Sequence, residues 1–198
     1  MPSAPVGRSA AHPFEARFLK SCSALADLPD GGLPEVALLG RSNVGKSSLL
    51  NALAGQTHLA KTSGTPGRTR LLNYFDVNGQ FYLVDCPGYG YAQVARSERE
   101  AWGALIQSYL ENRRELRLCV LLADAMIPPQ RSDLNLHAWL RQRGIPTQLV
   151  ATKWDRVRSS RTTRALREFE TAFGAPPLPF SSVTGMGRDD LRRILARP

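Results

Sequence analysis

Residues 35–47 read EVALLGRSNVGKS, an apolar run followed directly by a glycine-rich loop. The loop fits the pattern G-x-x-x-x-G-K-[ST], with Gly40, Gly45, Lys46 and Ser47 at the fixed positions. Glycines let successive backbone N–H groups converge on one oxyanion, the lysine reaches the terminal phosphates of a nucleotide, and the hydroxyl can ligate the accompanying magnesium. The stretch therefore predicts a buried strand, a phosphate-binding loop and a helix, in that order.

The segment KSSLLNALAG at 46–55 is predicted to form that helix. Leu49, Leu50 and Leu53 recur at the spacing of one buried helical face, and Gly55 is placed to end the helix. The positive N-terminal end of such a helix faces the same phosphates as the loop. A glycine turn with an incidental lysine is the alternative, but it does not account for strand, loop and helix in this order. We therefore expect a nucleoside triphosphate site.

Composition is that of an ordinary globular protein with a basic excess. The chain has 198 residues, and we expect a tail at 1–14 followed by a single domain at 15–198. No apolar run approaches the roughly 18 residues that span a membrane. The three cysteines form no CxxC pair, which favours a cytoplasmic location without a structural zinc. The net charge of +9 favours a polyanionic partner.

Strand patterns occur on both sides of the phosphate loop. LLNYFDV at 71–77 and QFYLVD at 80–85 flank an Asn-Gly pair, a strong signal of an antiparallel hairpin. ARFLKSC at 16–22 predicts an edge strand. LRLCVLLADA at 116–125 is a continuous apolar run of the kind that forms a buried parallel strand.

Helical patterns alternate with these strands. Apolar spacing predicts helices at 97–112, at 132–144 with Ser132 as the N-terminal cap, and at 161–173. In the last of these, the residues expected to face inward are Leu166, Phe169 and Phe173. The alternation predicts an α/β three-layer sandwich, with a mostly parallel central sheet, one antiparallel hairpin and helices on both faces. Ligands of such folds bind at the carboxyl ends of the strands.

The second motif is DCPG at 85–88, directly after an apolar strand. Asp85 is placed to hold magnesium, directly or through a water, from the side opposite Ser47. Gly88 can offer its backbone N–H to a terminal phosphate. A strand that ends in an Asx turn is an equally simple reading of these four residues alone.

The third motif is TKWD at 152–155. The carboxylate of Asp155 suits guanine, which presents a ring N–H and an exocyclic amino group side by side. Adenine has no matching pair of donors, so the carboxylate would be left unpaired. The methylene stem of Lys153 can lie across the base, whereas Trp154 is expected only to pack in the interior.

The fourth motif is SSVTG at 181–185, where a backbone N–H next to Ser182 can meet the guanine oxygen. Serines end many strands, so this motif is weak alone. Its order after the phosphate loop, DCPG and TKWD is what indicates a guanine-nucleotide-binding domain.

Taken together, the motifs resemble the EngB family (also called YihA or YsxC), ribosome-biogenesis GTPases of the TrmE–Era–EngA–EngB group. The resemblance extends from ARFLKSC to SSVTGMG, and TPGRTRLLNYF at 65–75 and DCPGYGYA at 85–92 are its specific parts. It implies GTP hydrolysis, magnesium, and a role in assembly of the large ribosomal subunit, and the family is also associated with cell division and septation. It implies that Thr69 completes the magnesium shell, with Thr65 as the alternative.

The motifs and the resemblance together predict one nucleotide site. Its magnesium ligands are Ser47, Thr69 and Asp85. Its nucleotide-binding residues are Gly40, Arg41, Ser42, Asn43, Val44, Gly45, Lys46, Ser47, Ser48, Gly67, Arg68, Thr69, Arg70, Leu71, Asp85, Cys86, Pro87, Gly88, Thr152, Lys153, Trp154, Asp155, Ser181, Ser182 and Val183.

No residue stands out as a catalytic base. Tyr89 occupies the position where signalling GTPases carry a glutamine that orients the attacking water, so we expect intrinsic turnover at or below roughly 10⁻² per second. The remaining catalytic candidates are Lys46, Asn43 and Thr69. The amide oxygen of Asn43 could ligate a potassium ion against the phosphates, or Asn43 could simply shape the turn.

The partner is expected to be the large ribosomal subunit, contacted by a monomer through ribosomal RNA, ribosomal proteins or both, and the basic charge favours the RNA phosphates. Two sets of residues suggest where: Arg68, Arg70, Tyr89 and Tyr91 of the glycine-rich loops, and Arg161, Arg164 and Arg167 of the helix after TKWD. A signalling GTPase with a protein effector and a nucleotide kinase are the alternatives. The first would normally carry the catalytic glutamine, and the second would not need TKWD.

Overall fold

The structure, a computed structural model, describes residues 14–30, 32–60, 71–89 and 96–196. Its strands are β1 (Ala16–Cys22), β2 (Glu35–Gly40), β3 (Leu72–Val77), β4 (Phe81–Asp85), β5 (Leu116–Asp124), β6 (Thr147–Thr152) and β7 (Leu178–Pro179). Its helices are α1 (Lys46–Ala54), α2 (Arg96–Asn112), α3 (Arg131–Gln142), α4 (Thr162–Phe173) and α5 (Arg188–Leu195). No helix in these ranges is long and apolar enough to cross a membrane.

The strands form one sheet in the order β1-β3-β4-β2-β5-β6-β7. Strands β4, β2, β5, β6 and β7 each pair in parallel with the next strand of this order. β3 pairs antiparallel with both β4 and β1. Val77 pairs with Phe81, so three residues connect β3 to β4, and Asn78 and Gly79 among them adopt left-handed backbone angles. The predicted α/β fold, the hairpin and the edge strand are confirmed.

Helices cover both faces of the sheet because its central strands are buried on both sides. In β2, Val36 and Leu38 face one apolar cluster, which α1 and α5 complete. Ala37 and Leu39 face the other cluster, which α2, α3 and α4 complete. Leu49, Leu50 and Leu53 of α1 have no exposed surface, so truncating any one of them to alanine should cost about 2–5 kcal/mol.

Two details of the helices differ from the sequence-based prediction. The N-terminal cap of α3 is Gln130, in extended backbone after Pro128 and Pro129, and not Ser132, which lies in the first turn of the helix. The extended backbone brings the Gln130 carbonyl, rather than a serine hydroxyl, to the free N–H groups of that turn. In α4, Ala165 is buried and Leu166 is only half-buried, because the inward face lies one residue earlier than the spacing suggested.

A buried carboxylate sits at the other end of β2 from the phosphate loop. Glu35 has no exposed surface, and it accepts hydrogen bonds from the hydroxyls of Tyr74 (3.1 Å) and Tyr109 (2.8 Å). Arg113 forms an ion pair with it at 2.8 Å and also donates to the Pro29 carbonyl. Since removing one partner of a buried ion pair costs about 3–5 kcal/mol, this cluster fastens the last turn of α2 to the sheet.

Candidate functional site

The phosphate loop connects the carboxyl end of β2 to the first turn of α1. A Cβ on Gly40 would lie 2.7 Å from Val44 Cγ1 and 3.0 Å from the Leu122 carbonyl oxygen, so only glycine fits there. Gly45, the residue before α1, has φ 107°, and Asn43 has φ 63°. These left-handed residues curl the loop, and Lys46 is the first residue of the helix. The loop has the shape of a phosphate cradle.

Thr152 ties this loop to the TKWD segment. Its buried hydroxyl lies 2.7 Å from the Val44 carbonyl oxygen and 3.1 Å from the Ala123 carbonyl oxygen. The first contact crosses from the end of β6 to the phosphate loop, and the second joins β6 to β5. The segment predicted to bind the phosphates and the segment predicted to bind the base are therefore joined by a direct hydrogen bond.

Asp85 lies at the end of β4, beside this loop, and is 5% exposed. Its Oδ1 has no hydrogen-bond partner among the described residues. Burial raises the pKa of Asp85 from 3.8 to about 6, although the nearby charge of Lys46 opposes the shift. A buried carboxylate oxygen without a donor is the kind of ligand that a hard divalent cation takes, so the donor set fits magnesium.

The segment after Asp85 runs alongside the phosphate loop. The Ser42 N–H donates to the Tyr89 carbonyl (3.1 Å), and the Tyr89 N–H donates to the Gly40 carbonyl (3.4 Å). A Cβ on Gly88 would lie 2.9 Å from the Ser42 nitrogen, so this close approach also requires glycine. The DCPG segment and the phosphate loop therefore share a short backbone ladder.

Tyr89 is anchored at its other end to α3. Its hydroxyl donates to Asp133 Oδ1 at 2.9 Å, and Asp133 is almost fully buried. Burial raises the pKa of Asp133, while the Tyr89 hydrogen bond and the charge of Arg41 oppose that shift. The tyrosine at the position of the water-orienting glutamine is thus engaged in a structural contact.

The TKWD and SSVTG segments meet at the ends of β6 and β7. The buried Ser181 hydroxyl donates to Asp155 Oδ1 at 2.6 Å and accepts from the N–H groups of Val183 and Thr184. Lys153 has φ 57° and its Nζ lies 2.6 Å from Asp124 Oδ2. Trp154 is 7% exposed and packs in the core. Ser181 therefore orients the Asp155 carboxylate.

The structure brings most predicted site residues to one edge of the sheet. These are the predicted residues within 40–48, 85–88, 152–155 and 181–183, with Leu71 just before β3. Gly67, Arg68, Thr69, Arg70 and the alternative Thr65 lie outside the described residues, as does Tyr91.

Two acidic residues of the site were missed by the sequence analysis. Asp124 ends an apolar strand just as Asp85 does, so the same signal was available for it. Asp133 lies within a helix, and its link to Tyr89 depends on a fold-level contact that no local pattern reveals.

A mostly parallel sheet with a phosphate loop, a magnesium-compatible aspartate and a guanine-type TKWD segment at one edge defines a P-loop GTPase. Residues 35–153 match the family model of the 50S ribosome-binding GTPases. A probable GTP-binding protein EngB from Pelotomaculum thermopropionicum is 46% identical over 186 residues, covering 92% of this chain and 94% of the relative. The chain belongs to the EngB family of GTP-binding proteins, and it is a GTPase.

Solved structures support the same fold. A crystal structure of a probable GTP-binding protein engB superposes with a TM-score of 0.69 at 22% identity, over 82% of this chain and 96% of that chain. NFeoB from S. thermophilus bound to GDP·AlF4⁻ and K⁺ gives a TM-score of 0.61 at 22% identity, over 83% of this chain and 61% of that chain.

Proposed function

We propose that this chain is a guanine-nucleotide switch that acts in assembly of the large ribosomal subunit. The observation that carries the proposal is the match of residues 35–153 to the 50S ribosome-binding GTPases. In the proposed cycle, the GTP form docks on the ribosomal particle and hydrolysis releases it. The terminal phosphate, and the contacts that it adds to the magnesium shell, distinguish the two forms, so the loops that touch this phosphate carry the signal.

In the proposed site, the loop from Gly40 to Ser47 and the N-terminus of α1 bind the phosphates. Ser47 and Asp85 hold magnesium, together with Thr69 outside the described residues. The partnerless Oδ1 of Asp85 supports this assignment. When bound there, the ion would neutralise phosphate charge. Lys46 adds a second positive charge that reaches the terminal phosphates.

Guanine recognition is assigned to Asp155 and to the loop after Ser181. One Asp155 oxygen is held by the Ser181 hydroxyl, which fixes the plane of the carboxylate for the two donors of guanine. The Val183 N–H is already bonded to Ser181, so the Ser182 N–H is the donor left for the guanine oxygen among the described backbone groups of this loop. Such a site rejects adenine because the carboxylate would stay unpaired.

Hydrolysis is proposed to be slow without a stimulus. The Tyr89 hydroxyl is bonded to Asp133, so it does not orient water. A potassium ion beside Asn43 would neutralise charge as the bond to the terminal phosphate breaks. Support comes from the exposed Asn43 and from the potassium bound by the structural neighbour NFeoB. The left-handed backbone of Asn43 fits equally well with a role in shaping the turn.

The proposed docking surface is the α4 arginine face, defined as Arg161, Arg164 and Arg167. All three side chains are exposed. Arg164 pairs with Glu168 at 2.7 Å, whereas Arg161 and Arg167 pair with no carboxylate in the described part of the chain. Arginines without carboxylate partners can contact phosphates, and each contact releases counterions. Of the predicted loop residues, Arg68, Arg70 and Tyr91 would add contacts that depend on the nucleotide, whereas the Tyr89 hydroxyl is already bonded to Asp133.

Co-sedimentation with purified large ribosomal subunits tests this function. Binding should be stronger with a non-hydrolysable GTP analogue than with GDP and should weaken steeply as salt rises. The double substitution Arg161→Glu and Arg167→Glu should weaken binding more than tenfold. Arg114→Glu with Arg117→Glu, exposed residues at the amino end of β5, makes the same change in net charge and should have little effect. Binding that is insensitive to nucleotide and to salt would instead indicate a protein effector.

A further inference from the structure

Lys153 has a backbone conformation that needs outside support. Its φ of 57° and ψ of 32° place it in the left-handed region, which is unfavourable for a residue with a side chain. Such a conformation persists where surrounding contacts determine it, and it concentrates at ligand sites. The flanking residues are held by Thr152, through its hydroxyl, and by the Trp154 N–H, which donates to the Phe180 carbonyl. These contacts fix the main chain, but they do not fix the lysine side chain.

The side chain is held by Asp124, the last residue of β5. Lys153 Nζ lies 2.6 Å from Asp124 Oδ2, and the two side chains are only 28% and 17% exposed. Partial burial reduces solvent screening, so this pair is stronger than a typical surface ion pair. The other Asp124 oxygen, Oδ1, accepts the Met126 N–H at 2.9 Å. The carboxylate is thus fixed on one side by a backbone turn and presents its other oxygen to the lysine.

We propose that Asp124 is a positioning residue for guanine nucleotide binding, which holds the Lys153 stem ready to lie across the base. The inference rests on the role proposed for Lys153 in the guanine site. A free lysine has many rotamers and loses them when a ligand packs on its stem. Asp124 imposes much of that ordering before the nucleotide arrives, so less affinity is lost on binding.

The substitution Asp124→Asn separates this role from the turn. An asparagine Oδ1 still accepts the Met126 N–H, but its amide cannot form an ion pair with an ammonium group. The backbone at the end of β5 is therefore retained while the lysine is released. Asp30→Asn is the matched control, because it makes the same change in charge at an exposed residue of the connector before β2.

The experiment is a double-mutant cycle on fluorescent GDP affinity, using the full chain. Asp124→Asn should weaken binding about tenfold, and Lys153→Met, which keeps an apolar stem without the charge, should also weaken it. In the Lys153→Met background, Asp124→Asn should have no further effect, since its partner is gone. Thermal unfolding of each variant without nucleotide shows that all are folded.

The outcomes distinguish the role proposed for Lys153 in the base site from the positioning role proposed for Asp124. If Lys153→Met weakens binding and Asp124→Asn does not, or if the two effects add, the positioning role of Asp124 is overturned. If Lys153→Ala, which also removes the stem, leaves GDP affinity unchanged, the role proposed for Lys153 in the base site fails first, and the Asp124 inference fails with it. If Lys153→Met and Asp124→Asn both leave GDP affinity unchanged, the positioning role of Asp124 alone is overturned. Loss of affinity in Asp30→Asn would assign the effect to overall charge and also overturn the inference.

Discussion

Asp85→Asn should stabilise the magnesium-free protein at neutral pH and destabilise the magnesium-bound protein. Asp85 is buried at the end of β4, and its Oδ1 has no hydrogen-bond partner among the described residues. Ionising such a group in the folded state is unfavourable, which is why burial raises its pKa from 3.8 to about 6. Asparagine has the same shape and carries no charge.

The size of the effect follows from the pKa shift. Because one pKa unit corresponds to about 1.4 kcal/mol, the rise from 3.8 to about 6 corresponds to about 3 kcal/mol of destabilisation when Asp85 is ionised. Below pH about 3 the carboxyl is protonated in both the folded and the unfolded chain, so the penalty is absent. It develops between pH about 3 and 6, since the unfolded chain loses the proton in this range while the folded protein retains it, and it is nearly complete by pH about 7.

Urea unfolding in EDTA, from pH 4.5 to pH 8, measures this difference. The free energy of unfolding of Asp85→Asn should exceed that of the wild type by about 1 kcal/mol at pH 4.5 and by up to about 3 kcal/mol at pH 8. With magnesium and GDP the order should reverse, because the wild type gains a bound cation that the variant holds poorly. A difference that does not vary with pH in EDTA would refute the reasoning, as would stabilisation of both proteins alike by magnesium. Asp30→Asn serves as the control at an exposed position.

Three further predictions concern the tyrosine, the base and the cation. Tyr89→Phe should lower the free energy of unfolding by about 1–2 kcal/mol, through loss of a hydrogen bond to a carboxylate, and should raise the pKa of Asp133 further, as urea unfolding and NMR titration would show. Asp155→Asn should transfer preference from guanosine to xanthosine nucleotides in competition binding, and an unchanged GDP affinity would exclude Asp155 as the base reader. Hydrolysis should be faster in potassium than in sodium at matched ionic strength, and Asn43→Ala should remove the difference. Equal wild-type rates in the two salts would refute the potassium site, and Asn43 would then only shape the turn.

Local sequence patterns predicted the elements of the fold because each depends on near neighbours. Gly40 and Gly45 mark a loop that no residue with a Cβ could form in the same way, and the Asn-Gly pair after β3 specifies its own turn. The cap of α3 was predicted wrongly at Ser132, because the extended backbone after two prolines moves the start of the helix to Arg131.

Local sequence patterns could not predict the contacts between distant segments. The pairs Tyr89–Asp133 and Lys153–Asp124 join residues 44 and 29 positions apart, and only the folded sheet brings them together. The predictions of a single domain from residue 15, a monomer, a cytoplasmic location and the individual site roles stay predictions.

The buried cluster around Glu35 gives α2 a fixed pivot. Tyr109 in the last turn of the helix and Arg113 just after it bind Glu35, while the first turn follows the DCPG segment in the chain. A helix of 17 residues is about 25 Å long, so a tilt of about 10° about this pivot would displace its first turn by about 4 Å and its last turn hardly at all. With such a tilt, a partner in contact with the first turn of α2 would sense a small rearrangement at the nucleotide as a large displacement.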